Sequence, residues 1–96
     1  MVKIRYLRNE NNVPWATIVG LKNLKQVGYS ICCDKDHFSK RLGRRIALIR
    51  AINNKNQELP KSRNLYDDLG KKFVHIRMEM RYMMQDIGVP GIFEEF

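Results

Sequence analysis

Hydrophobic and polar positions alternate near the start of the chain in a way that predicts a β-hairpin. Val2, Ile4 and Tyr6 occupy every second position, which is the period of a strand with one apolar face. Residues 9–14 then form a cluster of turn-favouring residues, and residues 15–21 (WATIVGL) are a second strand-forming run. These runs predict antiparallel strands joined by a loop of about five or six residues.

A third strand and a cationic helix are predicted to follow. Residues 28–33 are apolar enough for a strand, and Asp34 or Asp36 is a suitable N-cap for a helix that ends near Asn53. Gly43 lies within this helix and indicates close approach of a strand, a partner or a phosphate backbone. Helical spacing groups the large apolar residues on one face, which predicts the core-facing side: Phe38, Leu42, Ile46 and Ile49, widened by Leu48 and Ile52.

A longer second helix is predicted over residues 64–87. Gly88 supplies its C-cap, and Pro90 prevents it from continuing into a short tail at residues 89–96. Large apolar residues form a stripe along one face of this helix. The stripe predicts core packing or, equally, an uncovered surface through which two copies form a dimer or a partner docks. Its members are separated alternately by four and three residues: Leu69, Phe73, Ile76, Met80, Met83 and Ile87.

These elements predict a single α+β domain over residues 1–96, in which a small antiparallel sheet precedes two helices in the order βββαα.

The first residues lack the apolar segment of a signal peptide, and no apolar run is long enough to span a membrane. The side chains of the adjacent Cys32 and Cys33 diverge in a strand, which favours two reduced thiols and a cytoplasmic location.

Positive charge is concentrated in one part of the chain. Residues 35–63 contain nine Lys and Arg against Asp36 and Glu58, which gives +7 of the total net charge of +8. Such a concentration favours the capture of a polyanion or an acidic surface. The predicted binding residues are Lys40, Arg41, Arg44, Arg45, Arg50, Lys55, Lys61 and Arg63.

No pattern of residues typical of an enzyme is present. His37 and His75 fall in different elements, and neither has a nucleophile or metal ligand at local spacing. Glycine-rich phosphate loops and nucleophile elbows are absent from the sequence. Asp34 with Asp36 offers two carboxylates for a metal-dependent nuclease, but helix capping is the simpler interpretation. We therefore predict no cofactor, no metal and no catalytic activity.

The segment at residues 28–51 (GYSICCDKDHFSKRLGRRIALIRA) resembles a segment of small accessory proteins from bacteriophages and prophages. In those proteins an apolar strand ends at Cys and is followed by D-x-F-x-K, a glycine, a basic residue, I-A and R-A. The resemblance implies a phage-type accessory protein, a group that includes inhibitors of host defence such as anti-CRISPR proteins. The matching positions are Cys32, Asp36, Phe38, Lys40, Gly43, Arg44, Ile46, Ala47, Arg50 and Ala51.

Two functions are compatible with these features. The first is a non-enzymatic protein whose cationic helix binds the phosphate backbone of DNA or RNA with little sequence preference. The second is an inhibitor of a host nucleoprotein, which binds an acidic or nucleic-acid-binding protein surface and needs apolar anchors as well as charge. Tyr6, Trp15 and Tyr29 bear on the first function, since aromatic residues on a sheet either pack in the core or stack with bases.

Overall fold

The computed structural model describes residues 1–32, 39–60 and 68–89. Its three strands form one antiparallel sheet in the order β1-β2-β3, and two helices follow. The predicted α+β fold and its βββαα order are therefore confirmed. The elements are β1 (Val2–Arg8), β2 (Pro14–Leu21), β3 (Gln26–Ile31), α1 (Lys40–Asn53) and α2 (Asp68–Asp86).

Asn9 organises the loop of residues 9–13 that joins β1 to β2. Its backbone N–H donates to the carbonyl of Val13 at 2.9 Å, and its Oδ1 accepts from the backbone N–H groups of Asn11 and Val13. Asn12 has a φ of 62°, in the left-handed region that Asn tolerates better than most residues. The loop has five residues, as the sequence predicts.

The sheet lies between the two helices, so the domain has three layers. Ala16 and Ile18 of β2 belong to an apolar cluster with α2, whereas Val19 and Leu21 belong to a second cluster with α1. Successive side chains of a strand point to opposite faces, so β2 is buried on both sides. This double burial explains why residues 15–21 read as a continuous apolar run without alternation.

α1 contacts the sheet through its small residues, which corrects the predicted core-facing side. Ala47 and Ala51 are fully buried, whereas Leu42 and Ile49 are 57% and 49% exposed. A Cβ on Gly28 of β3 would overlap the carbonyl oxygen of Ala47 and the backbone nitrogen of Ala51. Because the helix backbone lies this close to β3, no large side chain fits between them. Leu42, Ile49 and Ile52 are therefore turned outward, whereas Leu48 is partly buried against the α1 cluster and Ile46 is of intermediate exposure. Phe38, also on the predicted face, lies outside the described residues.

The start of α1 also differs from the prediction. Ser39 is the N-cap, and its Oγ accepts a hydrogen bond from the backbone N–H of Leu42 at 3.2 Å. The predicted caps, Asp34 and Asp36, lie outside the described residues and too far before Lys40 to cap this helix.

Close approach of a strand accounts for Gly43 in α1. A Cβ at this position would come within 2.8 Å of Oγ1 of Thr17 in β2 and 3.4 Å of Oγ of Ser30 in β3. The Ser30 hydroxyl also donates a 2.9 Å hydrogen bond to the carbonyl of Gly43. Of the three explanations that the sequence left open, approach to the sheet is the one that the structure supports.

α2 packs against the other face of the sheet through most of the predicted stripe. The side chains of Ile76, Met80, Met83 and Ile87 are at most 3% exposed, and Phe73 is partly buried. These residues are part of the monomer core, so they offer no uncovered apolar surface for self-association. The side chain of Leu69 and the predicted helix start at Asn64 lie outside the described part of the chain.

The end of α2 agrees with the prediction. Gly88 has a φ of 85°, and its N–H donates to the carbonyl of Gln85 at 3.1 Å. The N–H of Val89 donates to the carbonyl of Met84 at 2.9 Å, which completes a Schellman motif. The side chain of Lys25 adds a 2.9 Å hydrogen bond to the carbonyl of Gly88 and connects the β2–β3 turn to this helix end.

β1 is less covered than its alternating pattern suggests. Val2 and Ile4, on the predicted apolar face, are 48% and 42% exposed, because α1 lies mainly over β2 and β3. Leu7, on the opposite face, is 3% exposed and belongs to the α2 cluster. Arg5 shares that face and forms an ion pair with Glu79 of α2 at 3.1 Å.

Candidate functional site

The cationic residues of α1 project from a helix whose other side is buried against the sheet. Since Gly43, Ala47 and Ala51 face the sheet, the 100° rotation per residue places Arg41 and Arg45 on the opposite side. Arg44 lies on the flank and is also exposed. We use the term outer face of α1 for six exposed residues: Arg41, Leu42, Arg44, Arg45, Ile49 and Ile52.

The three arginines of the outer face carry charge without a neutralising partner. Among the described residues, no carboxylate lies within 4 Å of Arg41, Arg44 or Arg45. The first turn of α1 contains no acidic residue and begins with Lys40 and Arg41. Cations at this end of a helix oppose the macrodipole and cost about 0.3–1 kcal/mol each. The N-terminal half of the outer face therefore carries concentrated positive charge at a local cost in stability.

Lys40 and Arg50 are held against aromatic residues of the sheet. The Nζ of Lys40 lies 5.1 Å from the ring centroid of Tyr6, and the guanidinium of Arg50 lies 5.5 Å from that of Tyr29. Arg50 also donates a 2.9 Å hydrogen bond to the carbonyl of Tyr29. Arg50 is exposed, and it covers an open carbonyl at the edge of β3, so its role in binding a phosphate stays a prediction.

The remaining predicted cations do not join the same cluster within the described residues. Lys55 is exposed but follows the C-terminal end of α1, roughly 20 Å from Arg41 at 1.5 Å per residue. Lys61 and Arg63 lie outside the described residues. The candidate site is therefore the N-terminal half of the outer face of α1.

Large apolar side chains share the outer face with the arginines. Leu42, Ile49 and Ile52 are 57%, 49% and 46% exposed. Val2 and Ile4 lie on the same side of the sheet as α1, since they pair with Leu21 and Val19, which pack against it. This part of the surface is both cationic and apolar, a combination that the sequence pattern did not predict for α1.

A second cluster, on the α2 side of the sheet, was missed in the sequence. Trp15 lies beside Lys72 and His75 of α2, with ring centroids of Trp15 and His75 5.7 Å apart. The spacing of Lys72 and His75 places them on one face of a helix, but nothing local in the sequence connects them to Trp15.

The described residues contain neither a metal-binding cluster nor a membrane-spanning helix. Within residues 1–32, 39–60 and 68–89, no group of three or more His, Cys, Asp or Glu side chains is arranged to hold a metal ion. Cys32 is partly buried and forms no disulfide, and Cys33 lies outside the described residues. Neither α1 nor α2 is long and apolar enough to cross a membrane.

Comparisons with protein-family models, curated proteins and solved structures gave no significant match to this chain. The resemblance of residues 28–51 to phage accessory proteins therefore stays a prediction.

Proposed function

We propose that this protein is a non-enzymatic nucleic-acid-binding protein that contacts the phosphate backbone through the outer face of α1. The observation that carries the proposal is the group of Arg41, Arg44 and Arg45, which are exposed and have no carboxylate partner among the described residues. Guanidinium groups pair with phosphate oxygens through two parallel hydrogen bonds, so arginine suits this contact.

The same surface is suited to binding with little sequence preference. The outer face of α1 contains no Asn or Gln to read adenine edges, and in this proposal its arginines are used on phosphates and not on guanine edges. Its exposed arginines sit on a helix that is fixed by Ala47 and Ala51 against the sheet, so the charges keep a constant spacing. Contacts of this kind position a protein on nucleic acid and depend strongly on salt.

The test is the salt dependence of binding to a labelled duplex oligonucleotide, measured by fluorescence anisotropy. Three phosphate contacts, one for each arginine, predict an affinity loss of roughly 40-fold between 50 and 200 mM salt. The double variant R44E/R45E is expected to bind at least tenfold more weakly, with a smaller salt slope, on every sequence alike.

A charge-matched control distinguishes the effect of the outer face on binding from the effect of net charge. The variant K3E/K22E changes the charge by the same amount at two exposed positions outside α1. It is expected to keep most of the affinity and the salt slope. Equal losses in both double variants, or no binding by the unaltered protein at 50 mM salt, would contradict the proposal.

A second candidate function is favoured by the apolar part of the same surface. Leu42, Ile49 and Ile52 are anchors of the type that protein interfaces use and that phosphate contacts do not need. The partner would then be an acidic or nucleic-acid-binding surface of a host nucleoprotein, as for a phage-encoded inhibitor. Nucleic-acid binding needs only the arginines, whereas binding to a protein also needs the apolar anchors. Mutation of the apolar residues therefore distinguishes the two functions.

The variant L42S/I49S distinguishes them. Nucleic-acid binding through the arginines predicts an affinity within about twofold of the unaltered protein, because no phosphate contact is removed. A protein partner that co-purifies with the unaltered chain but is lost from L42S/I49S, with no nucleic acid retained, would favour the second function.

A further inference from the structure

A pocket of about 370 Å³ lies on the α2 side of the sheet, at the end of the β1–β2 hairpin. Its size is within the range of small-ligand sites. The lining comes from the hairpin loop, the start of β2 and the first half of α2. The lining residues are Arg8, Asn9, Glu10, Trp15, Lys71, Lys72 and His75.

A break in strand register turns Trp15 toward this pocket. The pairing of β1 with β2 shifts between Leu7, which faces Ala16, and Arg8, which faces Pro14, so Trp15 is an extra residue in β2. Regular alternation would place Trp15 on the α1 side with Thr17. Instead its ring lies beside His75 of α2 at 5.7 Å, with a 54° angle between the ring planes. Bulges of this kind re-aim side chains and are frequent beside binding sites.

Cationic groups surround the indole of Trp15. The Nζ of Lys72 lies 5.6 Å from the ring centroid, and Lys71 is exposed on the pocket wall. The guanidinium of Arg8 is held by a 3.1 Å hydrogen bond to the carbonyl of Asn12. Glu10 is the single carboxylate of the lining. The pocket thus combines a partly exposed aromatic ring with an excess of positive charge.

We propose that this pocket binds one nucleotide unit, with the base stacked on Trp15 and the phosphate paired with Lys71 and Lys72. A π-surface bordered by cations fits a planar base joined to a phosphate, and stacking of one base on an aromatic side chain contributes about 1–3 kcal/mol. Lys72 keeps its contact with the ring, and the part of Trp15 that lines the pocket is the surface offered to the base.

The site goes beyond the surface on α1 and does not depend on it. Trp15 packs with the α2 cluster, whereas α1 covers the opposite face of the sheet. At 0.1 M salt the Debye length is about 10 Å, so charges on the two faces act nearly independently. A free mononucleotide and the end of a single strand present the same chemistry to this pocket, and the experiment separates them.

Trp15 is the only tryptophan of the chain, so its fluorescence reports directly on this pocket. We expect a saturable change of Trp15 emission on titration with adenosine monophosphate or a 5′-phosphorylated oligothymidine at 0.1 M salt. Tighter binding of the oligonucleotide would assign the site to single strands, and equal affinity would assign it to free nucleotides. Both results support a nucleotide unit as the ligand.

Variants of the pocket test the placement of the phosphate. K71E/K72E is expected to raise the dissociation constant by about tenfold or more, and Glu10→Gln is expected to lower it slightly because a repelling carboxylate is removed. R44E/R45E, on the other face, should leave the Trp15 signal within about twofold. Far-ultraviolet circular dichroism checks that each variant is folded.

Three results would overturn the inference. One is the absence of a saturable change with either ligand in the folded, unaltered protein. Another is an unchanged dissociation constant in K71E/K72E. The third is equally tight binding of inorganic phosphate, since the base would then make no contribution. If Trp15 emission in the unaltered protein does not respond to either ligand while duplex binding is retained, this site alone is rejected and the proposed function of α1 stays intact.

Discussion

At the scale of single residues, the smallest side chains decide how α1 meets the sheet. Gly28 in β3 and Ala47 and Ala51 in α1 bring the helix backbone into contact with the strand. Gly20 in β2 has a different role on the other face, where it accommodates the side chains of Met83 and Ile87. The two glycines therefore face neighbours of unequal stiffness, backbone in one case and flexible side chains in the other.

This difference predicts unequal costs for the same substitution. A Cβ at Gly20 would lie 2.6 Å from Cγ of Met83, and a methionine side chain adjusts readily. We expect Gly20→Ala to lower the free energy of unfolding by about 1–3 kcal/mol, the usual cost of overpacking. Gly28→Ala forces the α1 backbone away from β3 and should cost more. Urea denaturation measures both values, and an equal or smaller loss in Gly28→Ala would show that α1 adapts without strain.

At the scale of elements, α1 has a buried side, a charged side and two unequal ends. Ser39 caps its start, while Asn54 closes its end and donates hydrogen bonds from Nδ2 to the carbonyls of Val27 and Glu58, both at 2.9 Å. The side chain of Gln26 also donates to the carbonyls of Ala51 and Ile52 at 2.8 Å. The C-terminal end of α1 is therefore well satisfied, and the N-terminal end carries its uncompensated positive charge.

This asymmetry predicts that one charge reversal in α1 is stabilising. Arg41→Glu replaces a cation by an anion in the first turn and should raise the free energy of unfolding by about 0.3–1 kcal/mol. Lys55→Glu makes the same charge change beyond the other end of the helix, where the dipole favours cations, and should give no such gain. Urea denaturation at low ionic strength compares the two. Destabilisation by Arg41→Glu would mean that Arg41 has a structural role in α1.

The stabilised Arg41→Glu variant is also expected to bind nucleic acid more weakly than the unaltered protein. An opposite change in stability and in binding distinguishes a residue retained for a partner from one retained for the fold.

The strands and the C-terminal ends of the two helices were predictable because their signals are local. Turn residues at 9–13 and Gly88 act within a few positions of themselves, and both agree with the structure. The face of α1 was not predictable from its own periodicity. Large apolar residues such as Leu42 normally mark the core, but Gly28 on a neighbouring strand leaves room only for Ala47 and Ala51. This limit on side-chain size comes from the packing of α1 on a strand that is distant in sequence. The only local sign of it was Gly43, which indicated a close approach to α1.

At the scale of the whole molecule, the two candidate surfaces lie on opposite sides of one sheet. The cationic part of α1 was predictable because net charge is a property of the sequence. The Trp15 pocket was not, because a register shift of one residue in β2 decides which helix the indole meets.

The central position of β2 has a consequence for the order in which the protein opens. β2 contacts β1, β3, α1 and α2, so no partial unfolding that keeps the other elements in place can release it. The backbone amides of Ile18 and Val19 should therefore exchange with deuterium only through complete unfolding, at rates that report the global free energy. Exposed positions such as Arg41 and Leu42, near the end of a helix with one face in solvent, should exchange through smaller openings. Hydrogen exchange followed by NMR would thus divide this 96-residue chain into a slow centre and faster outer layers, and rapid exchange within β2 would contradict that hierarchy.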